Sequence, residues 1–171
     1  AKCRPCAIVS GWSGAGAFSD GKLTQSAEVG GRILDYMDEQ QANELIKYAD
    51  DIYLGFGATA TLYGENTPRV DEIKYEAQKY NIRLVPCAVR HLGTEKAFNV
   101  LKAMYDHIIS ENGVEFSPMT TAEDIIVKDG KVSGVVVEKQ GKKETIECDY
   151  VVAAPGRDGA SWLAEQARQH G

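Results

Sequence analysis

Three short β-like runs separated by two tight-turn dipeptides occupy the stretch from residue 121 to residue 148. In order, these segments are 121–128, Asp129-Gly130, 131–139, Gln140-Gly141 and 144–148. Dipeptides of this kind supply the backbone of a two-residue hairpin turn, so consecutive runs are expected to pair. The sequence therefore predicts a three-stranded antiparallel β-meander, and a fold for this chain must accommodate it.

Apolar residues recur at helical spacing on both sides of the predicted meander. The predicted helices are 29–48, with a break near the DEQQ stretch, 68–80, one from Thr94 to the stop signal Asn112-Gly113, and 158–169. Pro68 suits a first helical turn because its missing N–H would be unpaired there. Thr94 is the expected N-cap of its helix.

Other short runs have the composition of strands. The run DYVVAAPG (149–156) is almost wholly apolar, which is typical of a strand buried on both faces. IRLVPCAV contains Pro86 and predicts an edge strand or a bend. Short strands are also expected at Ala7–Ser10 and at VEF (114–116), and 50–68 is expected to be loop with some extended structure.

Composition excludes several classes of protein. The chain has 171 residues, 43% of them hydrophobic, which suits one domain with a sizeable core. The net charge of −6 and the lack of a basic run argue against a nucleic-acid partner. No apolar run reaches membrane-spanning length and no secretory signal opens the chain, so we expect a cytoplasmic protein with no membrane partner.

The glycine-rich stretch SGWSGAGAFSDGKL (10–23) contains two near-matches to phosphate-binding loops. Residues 14–19 fit G-x-G-x-x-G except that Ser19 replaces the last glycine, and 16–23 fit the P-loop except at Leu23. No amphipathic helix follows, so the dinucleotide-binding loop lacks its expected context, and at Leu23 the P-loop lacks the hydroxyl that would hold magnesium. A plain surface loop is the alternative, although the large apolar side chains of Trp12 and Phe18 favour a loop folded onto other structure.

The four cysteines do not form a complete metal motif. Cys3 and Cys6 form a C-x-x-C pair without the second pair that a zinc ribbon needs. Structural thiols, a redox or metal role completed elsewhere, and a disulfide all stay open for them. Cys87 and Cys148 are expected to be small buried hydrophobic residues.

Four stretches give the chain a resemblance to a known family. They are CRPCAIVSGWSGAGAFSDGKL, RHLGTEKAFNVL, GVEFSPMTTAEDIIVKDGKVSGVVV and CDYVVAAPGR. Together they resemble an internal segment of the FAD-dependent dehydrogenases of the glutathione-reductase-like superfamily, in a poorly characterised bacterial group. The first stretch is the most specific to that group, and the last two resemble many flavoproteins.

The resemblance implies a partial Rossmann-like FAD/NAD(P)-binding domain with a β-meander, joined to part of an α+β substrate-binding region. The implied division is a flavin-proximal glycine-rich segment at 1–23, substrate-binding residues at 24–92 and FAD-domain residues at 93–171. The implied function is oxidation or reduction of an unknown small molecule by hydride transfer at FAD, with NAD(P)H as a second candidate cofactor. We expect the chain to be a fragment that holds FAD weakly or not at all by itself.

The resemblance also implies which residues contact the flavin. They are Gly14, Ala15, Gly16, Ser19, Asp20, Gly21, Lys22, Thr120, Ala122, Ala154, Pro155, Gly156 and Arg157. Backbone amides of small residues allow close approach to a cofactor. Pro155 stands where relatives usually have threonine, so only backbone contact is expected there.

Three charged or titratable residues have both a functional and a structural interpretation. Lys22 could neutralise reduced flavin or a substrate carboxylate, or it could be a solvated lysine. His91 is a candidate catalytic residue, although a histidine near a helix start is often structural. Arg90 could bind a substrate anion or face water. A non-catalytic binding module, and a redox or metal protein using Cys3 and Cys6, are the alternatives to a flavoenzyme.

Overall fold

The computed structural model describes residues 11–170. Its regular elements are β1 (Lys22–Thr24), α1 (Glu39–Gly55), α2 (Pro68–Gln78), β2 (Val89–His91), α3 (Thr94–Ser110), β3 (Thr120–Lys128), β4 (Lys131–Lys139), β5 (Lys142–Glu147) and α4 (Ala160–His170). Two short 3-10 helices, Gly14–Phe18 and Ile33–Asp35, precede α1. This combination of helices and strands agrees with the predicted α/β class.

The chain divides into two compact units. One is 16–111, and the described part of the other is 11–15 together with 112–170. Helix α3 therefore belongs to the first unit, with β1 and β2. The functional division at residues 23 and 92 concerns ligand contacts rather than compactness, and it stays a prediction. None of the helices in residues 11–170 has the length and apolar character needed to cross a membrane.

A short β-ribbon lies in the first unit. Strands β1 and β2 pair antiparallel, with Lys22 opposite His91 and Leu23 opposite Arg90. On its other side β2 is joined to Tyr63 by a pair of backbone hydrogen bonds through Val89, at 2.8 and 2.9 Å. Of the predicted strand around Pro86, only Val89 lies in a regular strand, and the Ala88 carbonyl before it accepts a hydrogen bond from the Gln25 N–H at 2.8 Å.

Helix α1 differs from its prediction at both ends. It begins after Asp38, whose carboxylate accepts a hydrogen bond from the Gln41 N–H at 2.9 Å, and this cap explains the break near DEQQ. The helix continues to Gly55, into a stretch expected to be loop. The prediction from apolar periodicity ended this helix too early, because the buried face of α1 carries a charged residue, Asp50, as well as Ala42.

Helix α3 supplies much of the core of the first unit. Ala97 and Val100 are buried on it, and Leu92 is buried just before it. The N-cap is Gly93 at φ 76°, not Thr94 as predicted, and Thr94 is the first helical residue. A left-handed backbone at this position favours glycine, so the chain caps with Gly93 one residue earlier than its hydroxyl suggests.

The second unit contains the predicted meander. Its strand order is β3-β4-β5, with both pairs antiparallel. All four turn residues have positive φ: 51° at Asp129, 73° at Gly130, 53° at Gln140 and 76° at Gly141. Two consecutive positive φ values are characteristic of type I′ hairpin turns, so the prediction of the two hairpins is confirmed.

Helix α4 is attached to a β-bulge in β3. The β3–β4 register shifts between Ala122 and Asp124. Beside the bulge, the Glu123 carbonyl accepts a hydrogen bond from the Trp162 indole N–H at 2.9 Å, and the Ile125 N–H donates to Gln166 Oε1 at 2.8 Å. Two side chains of α4 thus satisfy backbone groups of β3.

Replacing Gln166 with alanine should lower the free energy of unfolding by about 1–3 kcal/mol, because the Ile125 N–H loses its acceptor in a half-buried setting. Gln166→Glu keeps an acceptor and should recover most of the loss. Gln169→Ala on the exposed face of α4 is the matched control, with an expected change within about 0.5 kcal/mol. Urea titration followed by Trp162 fluorescence measures all three, and equal effects at 166 and 169 would contradict the prediction.

The run 149–156 does not form the predicted buried strand. It has no regular structure up to a turn at Gly156, and Tyr150 and Val152 are 89% and 91% exposed. A strand buried on both faces needs a backbone partner on at least one side, and nothing within residues 11–170 pairs with this run. The short strand expected at 114–116 is likewise not formed.

Candidate functional site

The β-ribbon places a lysine and a histidine side chain on one face. Lys22 and His91 are directly opposite each other, so their side chains lie on the same face of the ribbon. Both are substantially exposed, at 59% and 44% of the side chain. The Asp20 carboxylate joins them, with one oxygen 2.8 Å from Lys22 Nζ and 3.7 Å from His91 Nε2. We call Asp20, Lys22 and His91 the ribbon cluster.

Backbone hydrogen bonds hold the loop that carries Asp20. The Leu92 N–H donates to the Gly21 carbonyl at 3.0 Å, and the Gly93 N–H donates to the Asp20 carbonyl at 2.9 Å. Within the loop, the Ser19 hydroxyl donates to the Gly16 carbonyl and accepts from the Gly21 N–H, at 2.9 and 3.1 Å. The position of the carboxylate is therefore fixed relative to β2.

Gly21 can be replaced by no other residue without strain. Its φ is 65°, and a Cβ there would lie 2.9 Å from Ala97 Cβ and 3.0 Å from Leu92 Cβ. The loop passes so close to the start of α3 that only a hydrogen atom fits. Gly21 thus has a packing role in the structure, and its predicted contact with the cofactor stays a prediction.

Lys22 and His91 both stabilise the charged form of Asp20. The hydrogen bond from Lys22 is the largest cause of a pKa below the usual value for this carboxyl, and the charge of His91 acts in the same direction. The Asp20 carboxylate is therefore ionised at neutral pH. In return, its negative charge holds the Lys22 ammonium over the ribbon.

The opposite face of the ribbon is anchored by a buried ion pair. Arg90, 3% exposed, donates from Nε to Asp50 Oδ1 at 2.6 Å and from Nη2 to Asp50 Oδ2 at 2.5 Å. Its third donor, Nη1, reaches the Thr59 carbonyl at 2.5 Å. Both suggestions made for Arg90, substrate-anion binding and a solvated side chain, are therefore wrong, because its guanidinium is enclosed and fully engaged.

The ion pair shifts the pKa of both Asp50 and Arg90. Arg90 lowers the pKa of Asp50, chiefly by its hydrogen bonds, and Asp50 raises the pKa of Arg90 in the same way. Gln25, which follows β1, also acts to lower the pKa of Asp50. The pair consequently links β1, β2, α1 and the Thr59 segment behind the ribbon cluster.

The remaining predicted flavin contacts of the described chain belong to the second unit. Gly14 and Ala15 begin a 3-10 helix just after Trp12, whose ring makes an edge-to-face contact with Phe116 at 5.8 Å. Thr120 opens β3 opposite Lys139, and Ala122 pairs with Val137 beside the bulge. Each of these predicted residues thus lies in a regular element of its own unit.

The predicted turn at 154–157 precedes helix α4. Gly156 has φ 66° and no atom lies within 4 Å of the place where its Cβ would be. Pro155 packs against Gly159, where a Cβ would come within 2.3 Å of Pro155 Cβ. The turn is thus closed on the Pro155 side and open at Gly156, next to Ala154 and Arg157.

The structure brings together only part of the predicted site. Ser19, Asp20, Gly21, Lys22 and His91 meet at the ribbon, with Gly16 bonded to Ser19. Cys3 and Cys6 lie outside the described residues. Within residues 11–170, no group of three His, Cys, Asp or Glu side chains has the arrangement of a metal site.

Sequence reasoning missed Asp50. A signal for it exists: Asp50 follows Ala42 by eight residues, so continued helical spacing places it on the buried face of α1. A carboxylate on a buried face requires a cationic partner, and Arg90 is the partner that the structure supplies.

The chain is similar to a family model and to a known protein. The family model described as FAD binding domain matches residues 27–171. An uncharacterized protein from Clostridium beijerinckii (strain ATCC 51743 / NCIMB 8052) is 34% identical over 146 residues, which are 85% of this chain and 20% of that protein. The chain thus spans about a fifth of the length of this relative. The matched residues include His91 and the predicted contacts from Thr120 onward, while Lys22 precedes them.

Proposed function

Because this chain belongs to the FAD binding domain family, we propose that its ribbon cluster lies beside the flavin and the substrate of an FAD-dependent oxidoreductase. The membership confirms the FAD-dependent family and the cofactor that the motifs predicted. The observation that carries the proposal is the cluster itself: an exposed ammonium and an imidazole share one carboxylate on a loop of small residues.

The described residues suit a bound dinucleotide. In the first unit, no atom lies within 4 Å of the Cβ position at Gly16, so a ligand has room to approach the backbone there. Lys22 offers a positive charge at the surface, suited to a flavin that becomes anionic on reduction. When bound, FAD supplies hydride acceptance or donation, and the protein supplies position and charge.

Each residue of the ribbon cluster has a separate role in the proposed reaction. Lys22 stabilises negative charge, either on the reduced cofactor or on a substrate carboxylate. His91 holds or takes up the proton that accompanies hydride transfer, and the Asp20 carboxylate stabilises the imidazolium that results. Hydride transfer and a small-molecule substrate are part of this proposal.

The test uses the protein in its full-length form. Lys22→Met should lower the flavin midpoint potential by about 30 mV, which corresponds to about 1.4 kcal/mol for a two-electron couple. Lys47→Met removes another exposed lysine, which is paired with Asp51, and should leave the potential unchanged. Spectroelectrochemistry measures both variants. Equal potentials in the two variants would place Lys22 away from the flavin.

The role of His91 has a separate readout. His91→Gln should lower kcat and shift its pH profile while the flavin absorbance near ~450 nm stays at the level of the unmodified protein. His107→Gln, which removes another exposed histidine of the same unit, is the control. A purified protein with no flavin band would instead favour the non-catalytic binding module.

A further inference from the structure

An open cleft of about 550 Å³ lies in the first unit, away from the ribbon cluster. Its walls are the C-terminal half of α2, with Lys74, the segment 81–86 that follows α2, and Glu28. The cleft lies within the predicted substrate-binding region 24–92, but none of the residues named individually as flavin contacts or catalytic candidates lines it. A volume of this size is in the range of small-molecule sites.

The cations of this cleft lack carboxylate partners. The unit 16–111 contains ten lysine and arginine residues, and seven of them form ion pairs: Lys22, Arg32, Lys47, Arg69, Lys79, Arg90 and Lys102. The three that form none with any described residue are Lys74, Arg83 and Lys96. Two of these three, Lys74 and Arg83, line the cleft. Ion pairs therefore neutralise most of the cations in the unit 16–111, whereas Lys74 and Arg83, which pair with no described carboxylate, lie at the same cleft.

Apolar side chains form another part of the wall. Ile82 is 61% exposed and Val85 is 37% exposed, and both line the cleft beside the half-buried Leu84. A ligand that covers exposed branched aliphatic side chains removes apolar surface from water, and this favours binding. The cleft thus combines two unpaired cations with an uncovered hydrocarbon surface.

We propose that this cleft binds a small organic carboxylate with an apolar chain. The Arg83 guanidinium can hold a carboxylate in a bidentate manner, and Lys74 supplies a second positive charge. The hydrocarbon part of the ligand covers Ile82 and Val85. Glu28 at the same cleft disfavours ligands with several negative charges, which selects a monocarboxylate over a phosphate. The inference is independent of the flavin and of the ribbon cluster.

The experiment titrates octanoate into the ¹⁵N-labelled 171-residue chain and follows backbone amides by NMR. Amides of 74–86 should shift in a saturable manner, while those of β1 and β2 should not. Inorganic phosphate and octylammonium are the parallel probes, one testing an anion without a hydrocarbon chain and the other the same hydrocarbon chain with a cationic head group. Both should bind at least about tenfold more weakly than octanoate, a difference of about 1.4 kcal/mol.

Variants locate the site. Lys74→Gln combined with Arg83→Gln should weaken octanoate binding by about tenfold or more, and Glu28→Gln should strengthen it. Lys96→Gln removes the third unpaired cation, which lies outside the cleft, and should change nothing. These side chains are exposed, so the variants should keep the far-UV circular dichroism of the unmodified chain.

Three results would overturn the proposal. They are saturation without shifts at 74–86, an equal loss of affinity in the Lys96→Gln variant, and octylammonium binding as tightly as octanoate. Because FAD is absent from the titration, failure here leaves the flavin assignment untouched, and failure of that assignment leaves this result untouched.

Discussion

Replacing Asp50 with alanine should lower the free energy of unfolding of the chain by about 3–5 kcal/mol. The substitution leaves the Arg90 guanidinium buried without its carboxylate, and Arg90 is only 3% exposed. Removing one partner of a buried pair is costly because the remaining charge has lost its water as well as its partner. Chemical denaturation followed by circular dichroism measures the change.

A control is available three residues away on the same helix. Lys47→Ala breaks the exposed pair between Lys47 and Asp51 on the same helix, and we expect a loss of at most about 1 kcal/mol. The double variant Asp50→Leu/Arg90→Met removes both buried charges and should recover much of the stability lost in Asp50→Ala. If Asp50→Ala and Lys47→Ala were equally mild, Asp50 and Arg90 would not form a buried pair in solution.

The same pair predicts a dependence of stability on acid. The pKa of Asp50 is lower in the folded chain than its unfolded value, which is about 3.9. Its contribution is therefore complete above the unfolded pKa and is lost as pH falls through the folded pKa. The stability difference between the unmodified chain and Asp50→Asn should be constant from about pH 5 to 7 and shrink below about pH 4.

Replacing Gly21 with alanine should lower the free energy of unfolding by about 2–4 kcal/mol. Two effects add: alanine resists φ 65°, and its Cβ would lie 2.9 Å from Ala97 Cβ and 3.0 Å from Leu92 Cβ. Because both neighbours present Cβ atoms, neither can move away by rotating a side chain. The loop that carries Asp20 must shift, so the ribbon cluster should be disturbed as well.

Gly93→Ala separates the two effects. Gly93 has a similar φ of 76°, but no atom lies within 4 Å of its Cβ position. Its replacement should therefore lose only the backbone part, about 1–2 kcal/mol. Thermal unfolding of both variants gives the comparison. A Gly93→Ala variant as unstable as Gly21→Ala would show that backbone conformation alone accounts for the effect.

Local signals in the sequence predicted local structure well. Asp129-Gly130 and Gln140-Gly141 determine their hairpins through the φ values of the turn residues themselves, so no distant contact is needed. Pro68 begins α2 for an equally local reason. The meander and the start of α2 could therefore be derived from single stretches.

Features that depend on distant partners could not be derived in the same way. Asp50 and Arg90 are 40 residues apart, and no local pattern indicates which cation a buried carboxylate meets. The run at 149–156 has the composition of a buried strand, yet composition supplies no neighbour to pair with it. The ribbon cluster falls between these cases: the sequence nominated Lys22, Asp20 and His91 separately, and the β1–β2 register joins them.

The attachment of α4 to the bulge in β3 also protects the sheet from unwanted partners. Outer strands with unpaired backbone groups recruit strands from other molecules and so promote aggregation. On the β3 side, Trp162 and Gln166 already occupy backbone groups at the bulge. On the β5 side, the sequence KKETIE places four charges along a fully exposed strand. The two edge strands are thus protected by different means: β3 by hydrogen-bonded side chains and β5 by charge.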